Sequence, residues 1–323
     1  MERRTFIRNG LTLGLGAASF GNTLANTILN EFTLNNSAFF KLSLAQWSLH
    51  KAIWEKRLNP YDFTAKAKEL GFEGVEFVNQ LYPDVTKANN KAAALKQFIS
   101  KLNAAAKTHA VENVLIMIDG EGDLAVKNTK ERLKAIENHK AWVETAAAMG
   151  CHSIRINLFG ERNEMAWKEQ SAESMSKLGE FAAPYNINII VENHGYLSSN
   201  AALVMEMLDE VNLPNCGTLP DFGNFCLERE EGKRWDGACT REYDRYQGVK
   251  ELLPRAFAVS AKSHDFDEAG NETHTDFKRM LQLVKDAGYT GFIGVEYEGQ
   301  QRDEISGILA TKDLLLKQAK QII

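Results

Sequence analysis

Phe277–Tyr297 reads FKRMLQLVKDAGYTGFIGVEY, and much of the chain is a variation on it. Phe277, Met280, Leu281 and Val284 recur at helical spacing. Gly288 follows where such a helix would end, at the left-handed position where a Cβ is costly. FIGVEY then runs as a short β-rich segment. The same order returns in Asp62–Phe77 (DFTAKAKELGFEGVEF) and in Trp142–Ile156 (WVETAAAMGCHSIRI), with Gly71 and Gly150 at the junction. Helix, glycine, strand is therefore a repeated unit.

Working outward gives eight strand candidates: Leu42–Gln46, Val75–Val78, Val114–Ile118, Ser153–Asn157, Asn188–Glu192, Cys216–Leu219, Phe257–Ala261 and Phe292–Glu296. Helical patterns lie between them, near 60–70, 88–109, 128–149, 170–183, 199–211, 275–287 and 303–321. Residues 222–252 read as loop, with a short helix around Tyr243–Leu252. Runs such as VLIMI and INIIV are continuously apolar, as strands buried on both faces must be. The reading predicts an α/β fold, a single (β/α)8 TIM barrel over residues 31–323. A doubly wound sheet would carry a glycine-rich phosphate loop after its first strand, and LAQWSLHKA is not one.

The 323 residues are 44% apolar and 25% charged, the balance of a soluble globular protein. With 38 Lys+Arg against 43 Asp+Glu the net charge is −5, which argues against a nucleic-acid partner. The barrel region lacks the run of about 20 apolar residues that a membrane span needs. Residues 1–30 differ: Arg3, Arg4 and Arg8 form a basic head, and no charge follows from Asn9 to Asn30. This resembles a twin-arginine export signal, so the expected location is the periplasm or cell envelope. In an oxidising space Cys226 and Cys239 are the local candidates to pair, whereas Cys151 and Cys216 flank apolar runs and read as buried thiols.

In such a barrel the C-terminal strand ends form the active face. Those ends carry Gln46 and Ser48; Glu76 and Asn79; Asp119 and Glu121; Arg155 and Asn157; Glu192, Asn193 and His194; Asp221 and Asn224; Lys262 and His264; Glu296 and Glu298. Glu192, Asp221 and Glu296 are the tightest subset. Three carboxylates pointing at one axis repel, and either protons or a divalent cation must neutralise them. By period-two alternation Ser260, Lys262 and His264 share one face. Ser260 is a poor ligand and His264 a plausible one. Lys262 would compete with a metal or hold a substrate oxygen. The charged stretch within 226–243 reads equally as a lid or as a solvated insertion.

The segments LSLAQWSLH, GVEFVNQ, LIMIDGEGDLA, GCHSIRIN, IIVENHG, GTLPDFGNF, AVSAKSHDFDEAGNE and GFIGVEYEG resemble the sugar phosphate isomerase/epimerase group of xylose isomerase-like TIM barrels. The resemblance implies a divalent metal (Mn, Mg, Co or Zn) held by Glu, Asp, His and Glu. Glu192, Asp221 and Glu296 match three of these, while Ser260 stands at the histidine, so His264 is the expected fourth ligand, with Lys262, a smaller ligand set or no metal as alternatives. It also implies an isomerase or epimerase in which Glu192 and Glu296 move a proton next to a sugar carbonyl, through an enediolate. His194, Lys262, Arg155, Asn157, Glu76, Gln46 and Asn224 are the expected substrate contacts. The partner is a small carbohydrate, a free sugar or sugar derivative, and a homo-oligomer is compatible with the chain. A keto-glycoside lyase or hydratase using the same enolisation, and a non-catalytic carbohydrate-binding barrel, are the alternative functions.

Overall fold

The computed structural model describes residues 38–235 and 237–322, so the export reading of residues 1–30 lies outside the described residues. The strands are β1 (Lys41–Ala45), β2 (Gly74–Val78), β3 (Glu112–Met117), β4 (Ser153–Ile156), β5 (Asn188–Glu192), β6 (Cys216–Leu219), β7 (Cys226–Arg229), β8 (Cys239–Glu242), β9 (Val259–Ser263) and β10 (Phe292–Tyr297). Eight make one sheet in the order β6-β5-β4-β3-β2-β1-β10-β9, and each adjacent pair is parallel. The two ends meet at a thinner seam. Parallel bridges join Thr218 to Ala256 and Asp221 to Ser260, with Phe222 N donating to Ser260 O at 3.0 Å and Ser260 N to Pro220 O at 2.9 Å. The sheet thus curls into the expected (β/α)8 architecture, with both faces covered.

The main connecting helices are α1 (Phe63–Glu69), α2 (Lys91–His109), α3 (Thr129–Met149), α4 (Glu164–Ala182), α5 (Ala201–Val211), α6 (Arg245–Leu252), α7 (Phe277–Asp286) and α8 (Glu304–Ala319). From α2 to α8 each starts behind an Asn or Asp whose side chain accepts a first-turn backbone N–H: Asn90, Asn128, Asn163, Asn200, Asp244, Asp276 and Asp303. The glycines of the repeat are left-handed as anticipated, with φ of 78°, 74° and 73° at Gly71, Gly150 and Gly288. Trp142 is fully buried, with Phe98 edge-on to it at 5.9 Å and against Phe77 and Tyr82 in turn.

Three elements depart from the sequence reading. β9 sits two residues later than Phe257–Ala261. α4 starts at Glu164 rather than near 170, because Asn163 caps it. The supposed loop contains an antiparallel hairpin, β7 with β8, closed by a Cys226–Cys239 disulfide. Cys151 and Cys216 are buried free thiols, as expected.

Candidate active site

Glu192 ends β5, Asp221 follows β6 and Glu296 lies in β10, yet one carboxylate oxygen from each comes within 4.8 Å of the others. All three are buried. Ser260 on β9 donates from Oγ to Asp221 Oδ2 at 2.7 Å and to Glu296 Oε2 at 3.3 Å. Two residues along the same face, Lys262 Nζ lies 3.2 Å from Glu296 Oε1 and 3.3 Å from Glu298 Oε1. Asp221 is held by backbone: its Oδ1 accepts from Gly223 N and Asn224 N, both at 2.8 Å. Asn193 pins the same corner, with Asp221 N donating to Asn193 Oδ1 at 2.7 Å. Asn224 Nδ2 reaches Glu192 Oε1 at 3.1 Å.

The crowding of charge shows in the carboxyls themselves. Burial pushes Glu296 up to about 8, with Lys262 opposing and Glu192 adding to the rise. Asp221 is raised for the same first reason, again opposed by Lys262. Burial works against the charged form of Lys262, but Glu296, Glu298 and Asp221 outweigh it and the ammonium persists. Glu298 is only half-buried; its partial burial works against the carboxylate, yet Lys262 prevails there and lowers it to about 2. Lys262 therefore offsets only part of the negative charge.

A second chain of contacts runs beside the triad. Arg155 Nε lies 2.9 Å from Glu192 Oε2, but its N–H is not aimed at that oxygen, and both atoms are buried without a hydrogen-bond partner. Arg155 Nη1 donates to Asp119 Oδ1 at 2.9 Å, and Asn157 Nδ2 donates to the same oxygen at 2.6 Å. Asn157 thereby turns its Oδ1 to His194 Nδ1, 2.7 Å away. A carbonyl oxygen accepts, so His194 carries its proton on Nδ1 and leaves Nε2 bare. Burial, with Arg155 and Lys262 nearby, drops His194 to about 3 and keeps it neutral.

These groups line a cavity of about 650 Å³ at the C-terminal strand ends, with Arg155, Asn157, His194, Asn224, Lys262 and Glu296 in its wall. The structure does not bring every expected residue there. Gln46 is fully buried and spent on structure: its Oε1 accepts from Val78 N at 3.0 Å and its Nε2 donates to Tyr82 Oη at 2.8 Å. Glu76 lies inside the barrel, accepting from Ser43 Oγ at 2.5 Å, with its carboxylate filling the space beside Gly294. His264 does not join the triad. It is the first residue past β9, its N–H goes to Glu272 Oε1 at 3.2 Å, and its ring lies against His274. The face shared with Ser260 and Lys262 is lost once the strand ends. The sequence reading missed Arg234 and Trp235, which also line the cavity from the tip of the β7–β8 hairpin. The paired cysteines were the signal that this segment is built rather than loose.

Residues able to hold a cation are thus Glu192, Asp221 and Glu296, with the Ser260 hydroxyl beside them. The donor set is hard oxygen, suited to a divalent ion; Glu192 Oε2 accepts no hydrogen bond, although the Arg155 guanidinium stands beside it. No helix among the described residues is long and apolar enough to cross a membrane.

Comparison with known proteins agrees with this architecture. A C-glycoside deglycosidase alpha subunit from Arthrobacter globiformis is 39% identical over 49 residues, which is 15% of this chain and 14% of that protein. The IolI protein, solved with a zinc atom, superposes with a TM-score of 0.63 at 14% identity, covering 88% of this chain and 99% of the other. The 3-keto-D-glucoside 4-epimerase of E. coli gives 0.60 at 15% identity, covering 80% and 94%. At such identities the likeness is one of fold. Residues 64–318 match the family described as Xylose isomerase-like TIM barrel, and the chain belongs to that family.

Proposed function

We propose that the protein is a metal-dependent sugar isomerase or epimerase that removes a proton from a carbon next to a carbonyl. The observation that carries this reading is the buried meeting of Glu192, Asp221 and Glu296 beneath an open polar cavity. These three would hold the ion, with Ser260 completing the oxygen set. A bound divalent cation supplies positive charge beside the enediolate oxygens. Glu192 and Glu296 serve as acid and base on the two faces of the reacting carbon. Lys262 and Arg155 hold substrate oxygens as fixed cations, and Asn157 and Asn224 keep His194 and Glu192 in place. Bare Nε2 of His194 accepts from a substrate hydroxyl.

The test is exchange of the substrate C–H for solvent deuterium on a keto-sugar. Glu192→Gln and Glu296→Gln are each expected to slow it by about 100-fold or more. Full exchange in both variants overturns the assignment. Protein purified without chelator is expected to carry stoichiometric Mn, Mg, Co or Zn that Asp221→Asn loses; metal-free protein showing no exchange would favour a barrel that only binds carbohydrate.

The short match to a deglycosidase subunit favours one second reading, the same enolisation followed by expulsion of a leaving group from a keto-glycoside. Product analysis separates the two, because elimination releases a second molecule. We also propose that the chain is exported; support comes from the basic head and uncharged stretch of residues 1–30 and from the Cys226–Cys239 pair.

A further inference from the structure

The triad lies at the base of the site, with Glu296 reaching the cavity wall, but the mouth of the cavity has a different chemistry. Trp235 lies 4.9 Å from the His194 ring and 5.2 Å from Phe159, ring centre to ring centre, and still leaves 53% of its surface open. Phe159 in turn lies 5.9 Å from His194. His194 is two residues past Glu192, so the indole forms the next layer outward from the reacting groups.

A large apolar side chain left half open at a cavity mouth has no role in the core. Its position is nevertheless fixed from three sides. The Cys226–Cys239 disulfide ties the two strands of the hairpin together. Arg234, next in sequence, makes two hydrogen bonds to Asp123, at 2.8 and 3.3 Å, and lays its guanidinium over Phe159. Arg162, held on the Tyr196 ring, donates to Gly232 O at 3.2 Å. The cavity of about 650 Å³ lies well inside the range of about 300–1,000 Å³ that encloses a drug-sized ligand, and a single pyranose ring would leave much of it to water.

We propose that Trp235, Phe159 and His194 form an outer subsite for the second, uncharged ring of a glycoside, so that the substrate class is a glycoside rather than a free monosaccharide. The face of an aryl group, or the C–H face of a second sugar, lies on the indole while the first ring reaches the acids. This rests on the enolising reading for the inner ring, but its test does not.

Calorimetric titration of the whole protein with phenyl β-D-glucoside and methyl β-D-glucoside reads the outer subsite alone, since neither ligand carries a ketone. The phenyl glucoside is expected to bind about tenfold tighter. That gap is expected to close to under about twofold in Trp235→Ala and to return in Trp235→Phe, while methyl glucoside affinity stays within about twofold throughout. Equal affinities in the native protein, a gap that survives Trp235→Ala, or no measurable binding of either ligand overturns the proposal. A gap without deuterium exchange on keto-sugars would remove the enolisation and keep the subsite; exchange without a gap would do the reverse.

Discussion

Glu76 shows how depth inside a barrel changes what a carboxylate does. Its Oε1 takes the Ser43 hydroxyl, while its Oε2 is buried with no partner. Burial pushes it from the ordinary 4.5 up to about 7, with Ser43 opposing. Between those values the folded protein holds a proton that the unfolded chain has lost. The stability this confers is complete below about 4.5 and fades as pH rises through about 7. Glu76→Gln keeps the shape and cannot ionise. Its thermal midpoint is expected to gain several degrees on the native protein between pH 5 and pH 8 in metal-free buffer. A difference that stays constant over that range contradicts the account. Residue identities at strand ends were readable because like charges on one axis demand a neutralising partner, which singles out Glu192, Asp221 and Glu296. Height along the strand was not readable. Alternation tells which face a side chain takes, not whether it reaches the mouth, so Glu76 and Gln46 looked like mouth residues and are interior ones. His264 failed for a related reason: it lies one residue past the end of β9, where alternation no longer sets which way a side chain faces.

Among the elements, the helices were the most legible. Their apolar periodicity located them, whereas their caps, at Asn90, Asn128, Asn163, Asn200, Asp244, Asp276 and Asp303, were not read from the sequence, which is why the start of α4 was placed six residues late. The hairpin was the least legible, because it buries little. All of β8 is exposed, and an exposed strand has no apolar alternation to betray it. The covalent link does what packing does elsewhere. Reduction of the disulfide, or its replacement by Cys226→Ala with Cys239→Ala, is expected to speed proteolytic cleavage within residues 230–238 several-fold while the barrel's thermal midpoint moves little. Limited proteolysis followed by mass spectrometry measures it. Unchanged cleavage would mean that the Arg234–Asp123 and Arg162–Gly232 contacts hold the hairpin without the sulfur bridge.

For the molecule as a whole, the fold was readable from the repeated helix–glycine–strand unit, yet the joint that closes it was not. Seven neighbouring strand pairs carry continuous ladders, the β2–β3 one with a single register shift at Val75/Glu76, whereas β6 meets β9 through isolated bridges alone. Fewer backbone hydrogen bonds guard that boundary, so it should open first. Amides of Phe222, Phe257 and Ser260 are expected to exchange with deuterated water at least about tenfold faster than those in the centres of β2 and β3. Added Mg is expected to slow them, because Asp221 borders the seam on one side and Glu296 sits one strand beyond it on the other. Uniform protection around the ring, with or without Mg, would refute this.

The seam has a developmental consequence. Glu192 and Asp221 are synthesised well before Glu296, and the three acids become neighbours only when the last strand docks and the circle shuts. Until then they are scattered, hydrated carboxylates with no special hold on any ion. If, as proposed, these acids take up a metal, its identity would then be decided by the inorganic contents of the compartment where folding ends, not of the one where translation begins.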